Sequence, residues 1–226
     1  PLAPPIRDVL DTLYQAYGHP EYDGPDDLLG TLVRTIISQQ TTSANASRAF
    51  GALLDEYHGD WALMRAAGVD EIAEAIEVAG LAGQKAERIH RLLATLDDER
   101  GEFSLDFLRE LDVDDARDYL TSFKGVGPKT AAFTLMYAAD MPVFPMDTHI
   151  MRICKRLGWL EDNASNKKAH DRIEPQIPDG EHYAAHMVLV EHGRQTCHAR
   201  APECGECPLL ESCPAGAIPP DAASAP

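Results

Sequence analysis

The residues able to do chemistry gather at three places along this chain. The first is Leu120-Thr121-Ser122-Phe123-Lys124-Gly125-Val126-Gly127-Pro128-Lys129-Thr130, a glycine-punctuated stretch between two helical patterns, with a lysine just inside the second. Gly125 and Gly127 permit the positive φ values of a tight hairpin, Val126 can point inward as its plug, and Pro128 suits the first helical position, where a missing N–H costs nothing. The N–H groups of Gly125, Gly127 and Lys129 are then available to a phosphate at a helix N-terminus. Taken alone, a Gly-x-Gly turn reads as an ordinary αα-hairpin. Lys129 alters the balance. A lysine in a first turn stands at the positive end of the helix macrodipole, and with partial burial that placement favours a neutral amine able to attack an electrophilic carbon and form a Schiff base.

The second place is Asp147, which follows the buried-looking Val143-Phe144-Pro145-Met146 and opens Thr148-His149-Ile150-Met151-Arg152. It suits the N-cap of that helix and the carboxylate partner of the amine, and the two roles are compatible. The third is Cys197, Cys204, Cys207 and Cys213, spaced C-x6-C-x2-C-x5-C. Thiols that close are bridged by a metal or paired as disulfides, and disulfides do not suit an ordinary cytosolic chain. Structural zinc usually shows two separated ligand pairs; here only Cys204 and Cys207 form a close pair, and all four lie on one loop, which suits a cubane iron–sulfur cluster better. Cys154 is left over as a small buried residue within a helical pattern.

The bulk numbers both allow and constrain this chemistry. The 226 residues suffice for one large domain or two small ones. No apolar run approaches the roughly 18 residues that span a bilayer, and no secretory signal is visible, so a cytoplasmic location is expected. The net charge is −17, an awkward balance for a phosphate binder. Locally the sign reverses: Tyr119 to Arg156 carries Lys124, Lys129, Arg152, Lys155 and Arg156 against Asp140 and Asp147. Binding to a polyanion is therefore expected to be modest and salt-sensitive. The remaining acidity reads as a solubility surface.

The elements that must position these residues all read as helices. Ile6, Val9, Leu10, Leu13, Tyr14 and Tyr17 repeat at i, i+3, i+4, i+7 and stop at Gly18. Leu28, Leu29, Leu32, Val33, Ile36 and Ile37 form one broad apolar face that ends in the polar run Ser38–Ser43. Helix starts are predicted at Ser43, Asp60, Asp70, Ser104 and Asp114, and a helix over Asp115–Phe123 leads into the hairpin. No period-two alternation is found. The fold class expected is all-α, with about ten to twelve helices and a disordered tail after about residue 214.

Taken together the motifs resemble a known family. Leu120-x4-Gly125-Val126-Gly127-x-Lys129-Thr130-Ala131, Asp147-Thr148-His149-x2-Arg152 and His192-Gly193-Arg194-x-Thr196-Cys197-x-Ala199-Arg200-x-Pro202-x-Cys204-Gly205-x-Cys207-x5-Cys213 are similar to endonuclease III. These are the bifunctional DNA glycosylase/AP lyases of the helix-hairpin-helix superfamily, with a Gly/Pro-rich loop and an essential Asp. Ser38-x-Gln40-x-Thr42 and Gly80-Leu81-x3-Lys85-Ala86 fit the same pattern; Ser43 and Pro128 depart from it, standing where acidic and basic residues are frequent. The resemblance implies two helical domains with DNA in the cleft between them. One is a six-helix domain over 22–140 that carries the helix-hairpin-helix at about 114–139. The other is a cluster domain made of 1–21 plus 141–226. It further implies that Lys129 is the nucleophile and Asp147 the catalytic carboxylate, that Gln40 probes the hole left by an extruded nucleotide, and that Leu81 wedges into the duplex. Without the family, Gln40 reads as a solvated helix end and Leu81 as a core leucine. On the same resemblance Lys124, Gly125, Gly127, His149 and Arg152 are expected as further DNA contacts, and the four cysteines are expected to hold a [4Fe-4S] cluster. The function expected is base-excision repair by a monomer: removal of oxidised pyrimidines and β-elimination at abasic sites in double-stranded DNA. A monofunctional mismatch glycosylase and a weakly active damage-binding module are the alternatives. Lys129 and the short C-terminal tail argue against the first.

Overall fold

The computed structural model describes residues 3–24 and 26–216. Among them the chain is all-α, as its periodicities require, with eleven α-helices, four short 3-10 turns and no strand. The helices are α1 (Ile6–Tyr17), α2 (Leu28–Ser38), α3 (Ser43–Glu56), α4 (Trp61–Ala66), α5 (Val69–Ala75), α6 (Ala82–Arg100), α7 (Val113–Ser122), α8 (Pro128–Ala139), α9 (Thr148–Arg156), α10 (Asn166–Ile173) and α11 (His182–Gln195). The tail expected after about residue 214 falls, from residue 217 onward, outside the described residues. No helix among those described is long and apolar enough to cross a membrane.

Two compact units divide the chain. One is Gly24–Met141; the other joins the chain before Gly24 to the chain after Met141. The first unit is built around α2. Leu28, Leu29, Leu32, Val33, Ile36 and Ile37 are all completely buried, and α3, α6 and α8 pack against them. A helix apolar around most of its circumference has no other stable place than the middle of a bundle. Asp27 caps it, its carboxylate accepting from the N–H groups of Leu29 and Gly30 at 3.1 and 2.8 Å. In the second unit α1 packs on α11 and α11 on α9. Val9, Leu10 and Leu13 meet Ile150, Ile153, Val188 and Leu189 in one core. Cys154 is buried in that core, as its helical position implied, and burial pushes its thiol up to about 12.

Several helix caps sit one or two residues before the residues expected to fill them, because the residue that caps is the one just outside the first turn. Thr42 rather than Ser43 caps α3, and Asp112 rather than Asp114 caps α7. Gly68 rather than Asp70 is the cap residue of α5, its N–H donating to the carboxylate of Glu71 at 2.8 Å. Asp60 caps α4 as expected. The start placed at Ser104 yields a five-residue 3-10 turn, Asp106–Glu110.

The hairpin between α7 and α8 differs from its sequence reading at one glycine. Gly125 has φ +89°, whereas Gly127 lies at φ −93° in the extended region open to any residue. Val126 does plug the turn, at 4% exposure, and its N–H closes on the Phe123 carbonyl at 3.0 Å. Pro128 takes the first position of α8. A Cβ at Gly125 would lie 2.5 Å from Cδ and Nε of Arg88, while one at Gly127 would meet nothing within 4 Å. Gly125→Ala is therefore expected to destabilise by about 1–3 kcal/mol, and Gly127→Ala to stay within about 0.5 kcal/mol of the parent. Urea unfolding of the two variants checks the contrast.

Candidate active site

Within the Gly24–Met141 unit, three loops present the site residues read from the sequence. Lys129 occupies the second position of α8, directly behind the hairpin, and is exposed, as is Lys124. The partial burial expected of Lys129 is not observed: Pro128 and Lys129 open the first turn of α8 and are both exposed, and burial along the helix begins only at Thr130. Its place in the first turn remains. Among the described residues no hydrogen bond engages the N–H of Gly125 or of Gly127, so the hairpin offers donors to an anion.

Gln40 follows the end of α2 in the left-handed region, φ 53°, with its side chain exposed. Leu81 precedes α6 with φ 51° and is 47% exposed. It is not a core leucine. Both residues hold a backbone conformation that costs a non-glycine residue roughly 1–3 kcal/mol, and such strain persists only where the surroundings hold it. Under Leu81 the hold is Lys85, whose side chain is 1% exposed and whose ammonium donates to the Ala79 carbonyl at 2.9 Å. Burial, and secondarily the charge of Arg88, lower its pKa. Sequence reasoning gave Lys85 no role beyond a motif position; a lysine four residues beyond a Gly-Leu turn was the signal.

Asp147 lies in the other unit. It is 9% exposed and caps α9, with Oδ1 accepting from the Ile150 N–H at 2.8 Å. Among the described residues Oδ2 accepts no hydrogen bond, which leaves one oxygen for other work. The bland and the catalytic roles are thus compatible. Arg152, expected to contact DNA, is engaged in hydrogen bonds within this unit. Its guanidinium donates to the carbonyls of Cys197 and Gly193, both at 2.9 Å, and meets His149 Nδ1 at 3.0 Å. His149 in turn packs tightly on Gly193, where a Cβ would come within 2.8 Å of its ring. Together these contacts fasten the first cysteine to α9 and α11.

The four cysteines are unpaired and half-buried, and they line one pocket with Arg156, His192, Leu209 and Leu210. Among the described residues no three ligand-type side chains close on a single metal-ion position. Burial, together with the neighbouring sulfurs of Cys197, Cys213 and Cys204, pushes the Cys207 thiol up. Two residues unassigned from the sequence touch the sulfurs. Arg156 donates to Cys197 Sγ at 3.1 Å and to the His198 carbonyl at 2.7 Å. His192 Nε2 lies 4.0 Å from Cys207 Sγ, with Tyr17 hydroxyl on its other nitrogen at 3.0 Å. His192 is 1% exposed and held neutral, its pKa lowered to about 4 first by burial and then by Arg152.

Comparison with known proteins identifies this arrangement. Residues 33–178, well over half of the chain, match the model of the HhH-GPD superfamily base excision DNA repair protein, and residues 197–213 match the iron–sulfur binding domain of endonuclease III. Endonuclease III of Sulfolobus acidocaldarius is 33% identical over 189 residues, 83% of this chain and 82% of that protein. A candidate DNA glycosylase of Arabidopsis thaliana is 37% identical over 169 residues, 75% of this chain, and the chain spans 57% of that longer protein. The solved structure of a trapped endonuclease III–DNA covalent intermediate superposes with a TM-score of 0.78 at 29% identity, covering 93% of this chain and 95% of that one. The chain belongs to the HhH-GPD superfamily of base excision DNA repair proteins, as a DNA glycosylase of the endonuclease III kind that carries the iron–sulfur binding domain of that enzyme.

Proposed function

We propose that the protein is a bifunctional glycosylase that removes oxidised pyrimidines from double-stranded DNA and cuts the resulting abasic site by β-elimination. The observation that carries the reading is the placement of Lys129. It is an exposed amine in the first turn of α8, immediately behind a hairpin whose N–H groups are open to a phosphate. The hairpin would hold the backbone beside the lesion, with Lys124 adding charge. Gln40 and Leu81, both exposed and both in strained left-handed turns, are suited to enter the stack when the damaged nucleotide leaves it, a cost of a few kcal/mol that damage itself reduces.

The chemistry follows from an amine and a carboxylate. The Lys129 lone pair bonds to C1′ of the sugar as the glycosidic bond breaks, and the base departs with that bonding pair and takes up a proton. Asp147 Oδ2 stabilises the positive charge developing at the sugar. Ring opening gives the Schiff base, which acidifies the C2′ proton. Its removal expels the 3′ phosphate and cuts the strand 3′ to the lesion; hydrolysis then frees Lys129. Cys197, Cys204, Cys207 and Cys213 would hold a [4Fe-4S] cluster, since four thiolates around a pocket suit a group larger than one ion. That group supplies structural cross-linking of the loop between Cys197 and Cys213. A monomeric, cytoplasmic enzyme is the simplest form of this reading.

Borohydride added during turnover is expected to trap a covalent protein–DNA adduct on an abasic duplex, and Lys129→Ala to abolish it; an undiminished adduct in that variant would sink the assignment. Asp147→Asn keeps an N-capping oxygen, so its melting curve should stay near the parent's while single-turnover cleavage drops by roughly a hundredfold or more. Equal losses of stability and rate would reduce Asp147 to a cap. The purified protein is expected to be brown and to contain iron, with Cys207→Ser losing both. A colourless parent with stoichiometric zinc would overturn the cluster.

A further inference from the structure

We propose that Arg88 and Gln39 form a clamp that positions the phosphate-binding hairpin; this rests on the reading of the hairpin as a DNA-backbone site. Gln39 ends α2 beside Gln40, and its amide is used at both ends. Oε1 accepts from Arg88 Nη1 at 2.6 Å, and Nε2 donates to the Gly125 carbonyl at 3.0 Å with Thr130 Oγ1 at 3.4 Å. The bond from Arg88 is charge-assisted and fixes which way the amide faces, since a flipped amide would point its NH2 at a guanidinium. The Arg88 side chain also runs against Gly125 so closely that a Cβ there would fall 2.5 Å from Cδ and Nε. One helix, α6, thus reaches the turn that carries Gln40 and the hairpin that carries Lys129, through two residues that the motif resemblance leaves without a role.

The arrangement has a defined consequence. The Gly125 carbonyl, held from inside, sets the direction in which the neighbouring N–H groups face. Without the clamp the hairpin keeps its donors but loses their aim. The loss then falls on binding of the backbone and spares the reacting atoms. Arg88, half-buried and engaged with Gln39, acts through another residue and is a positioning group, not a phosphate ligand.

The test uses the full chain with its cluster and a fluorescent duplex holding a reduced abasic site for affinity, with the unreduced site for cleavage. Arg88→Met and Gln39→Leu are each expected to weaken binding about tenfold. The double variant should bind no more than about twofold more weakly than either single one, because both break the same link. Cleavage at saturating enzyme should stay within about threefold of the parent. The dependence of log Kd on log salt should keep the parent's slope, and Arg88→Lys should recover most of the affinity. Unchanged affinity, additive losses, or melting points that fall while Kd stays constant would overturn the clamp. A slope shallower by about 0.9 would overturn it too, by making Arg88 itself a phosphate contact. A parent that binds the duplex but never nicks it would refute the lyase reading while leaving the clamp's affinities measurable.

Discussion

Left-handed backbone is the constraint around which the Gly24–Met141 unit is organised. Gln40, Leu81 and Gly125 each lie at positive φ, at 53°, 51° and 89°, and each stands in a loop at a helix end. For two non-glycine residues that conformation is strained, and strain of this kind survives only if rigid elements on either side refuse to relax. The rigidity comes from α2, buried on nearly every side, and from α6, which sends Lys85 beneath Leu81 and Arg88 beneath Gly125. The loops are exposed because the helices behind them are not.

A second regularity explains how so acidic a protein can still build such a site. The cations that matter structurally are not spent on surface ion pairs, which contribute little in water. Lys85, Arg152 and Arg156 are turned inward onto carbonyl oxygens, with Arg156 also on the Cys197 sulfur. Arg88 is turned onto the amide of Gln39. Desolvated carbonyls at turns are good partners for a buried donor, because each otherwise faces the full cost of an unmade hydrogen bond. Lys124 and Lys129 are left exposed at the hairpin. The net charge of −17 therefore describes the surface as a whole and not the place where an anion would bind.

The cysteine loop shows the same economy of means. It has almost no regular structure beyond one 3-10 turn, Cys204–Glu206, and only Leu209 of its apolar side chains is fully buried. Its order comes from contacts reaching in from helices: Arg152 and Arg156 from α9, His192 from α11 and Tyr17 from α1, whose hydroxyl meets both His192 and Thr196. A loop tethered at so few points has reason to be cross-linked by its own thiolates.

Much of this was legible in one dimension, because some physics is local. A 3.6-residue apolar period has one regular solution, so the helices and most of the core followed from residue order, as did Asp147 as a cap and the grouping of Cys197, Cys204, Cys207 and Cys213. Helix caps slipped by a residue or two where adjacent polar residues compete to cap, as at Thr42 and Ser43 or Asp112 and Asp114. Other features depend on partners far away in the chain and could not be read there. Only the packed unit makes Gly127 an extended residue and Lys129 an exposed one, and only packing turns Leu81 outward and Lys85 inward against the usual preference of both side chains. Arg88 meets Gln39 across 49 residues and Arg152 meets Cys197 across 45. Charge and hydrophobicity fix which residues must be inside on average, whereas the direction of one particular side chain is decided by the neighbours that folding brings to it.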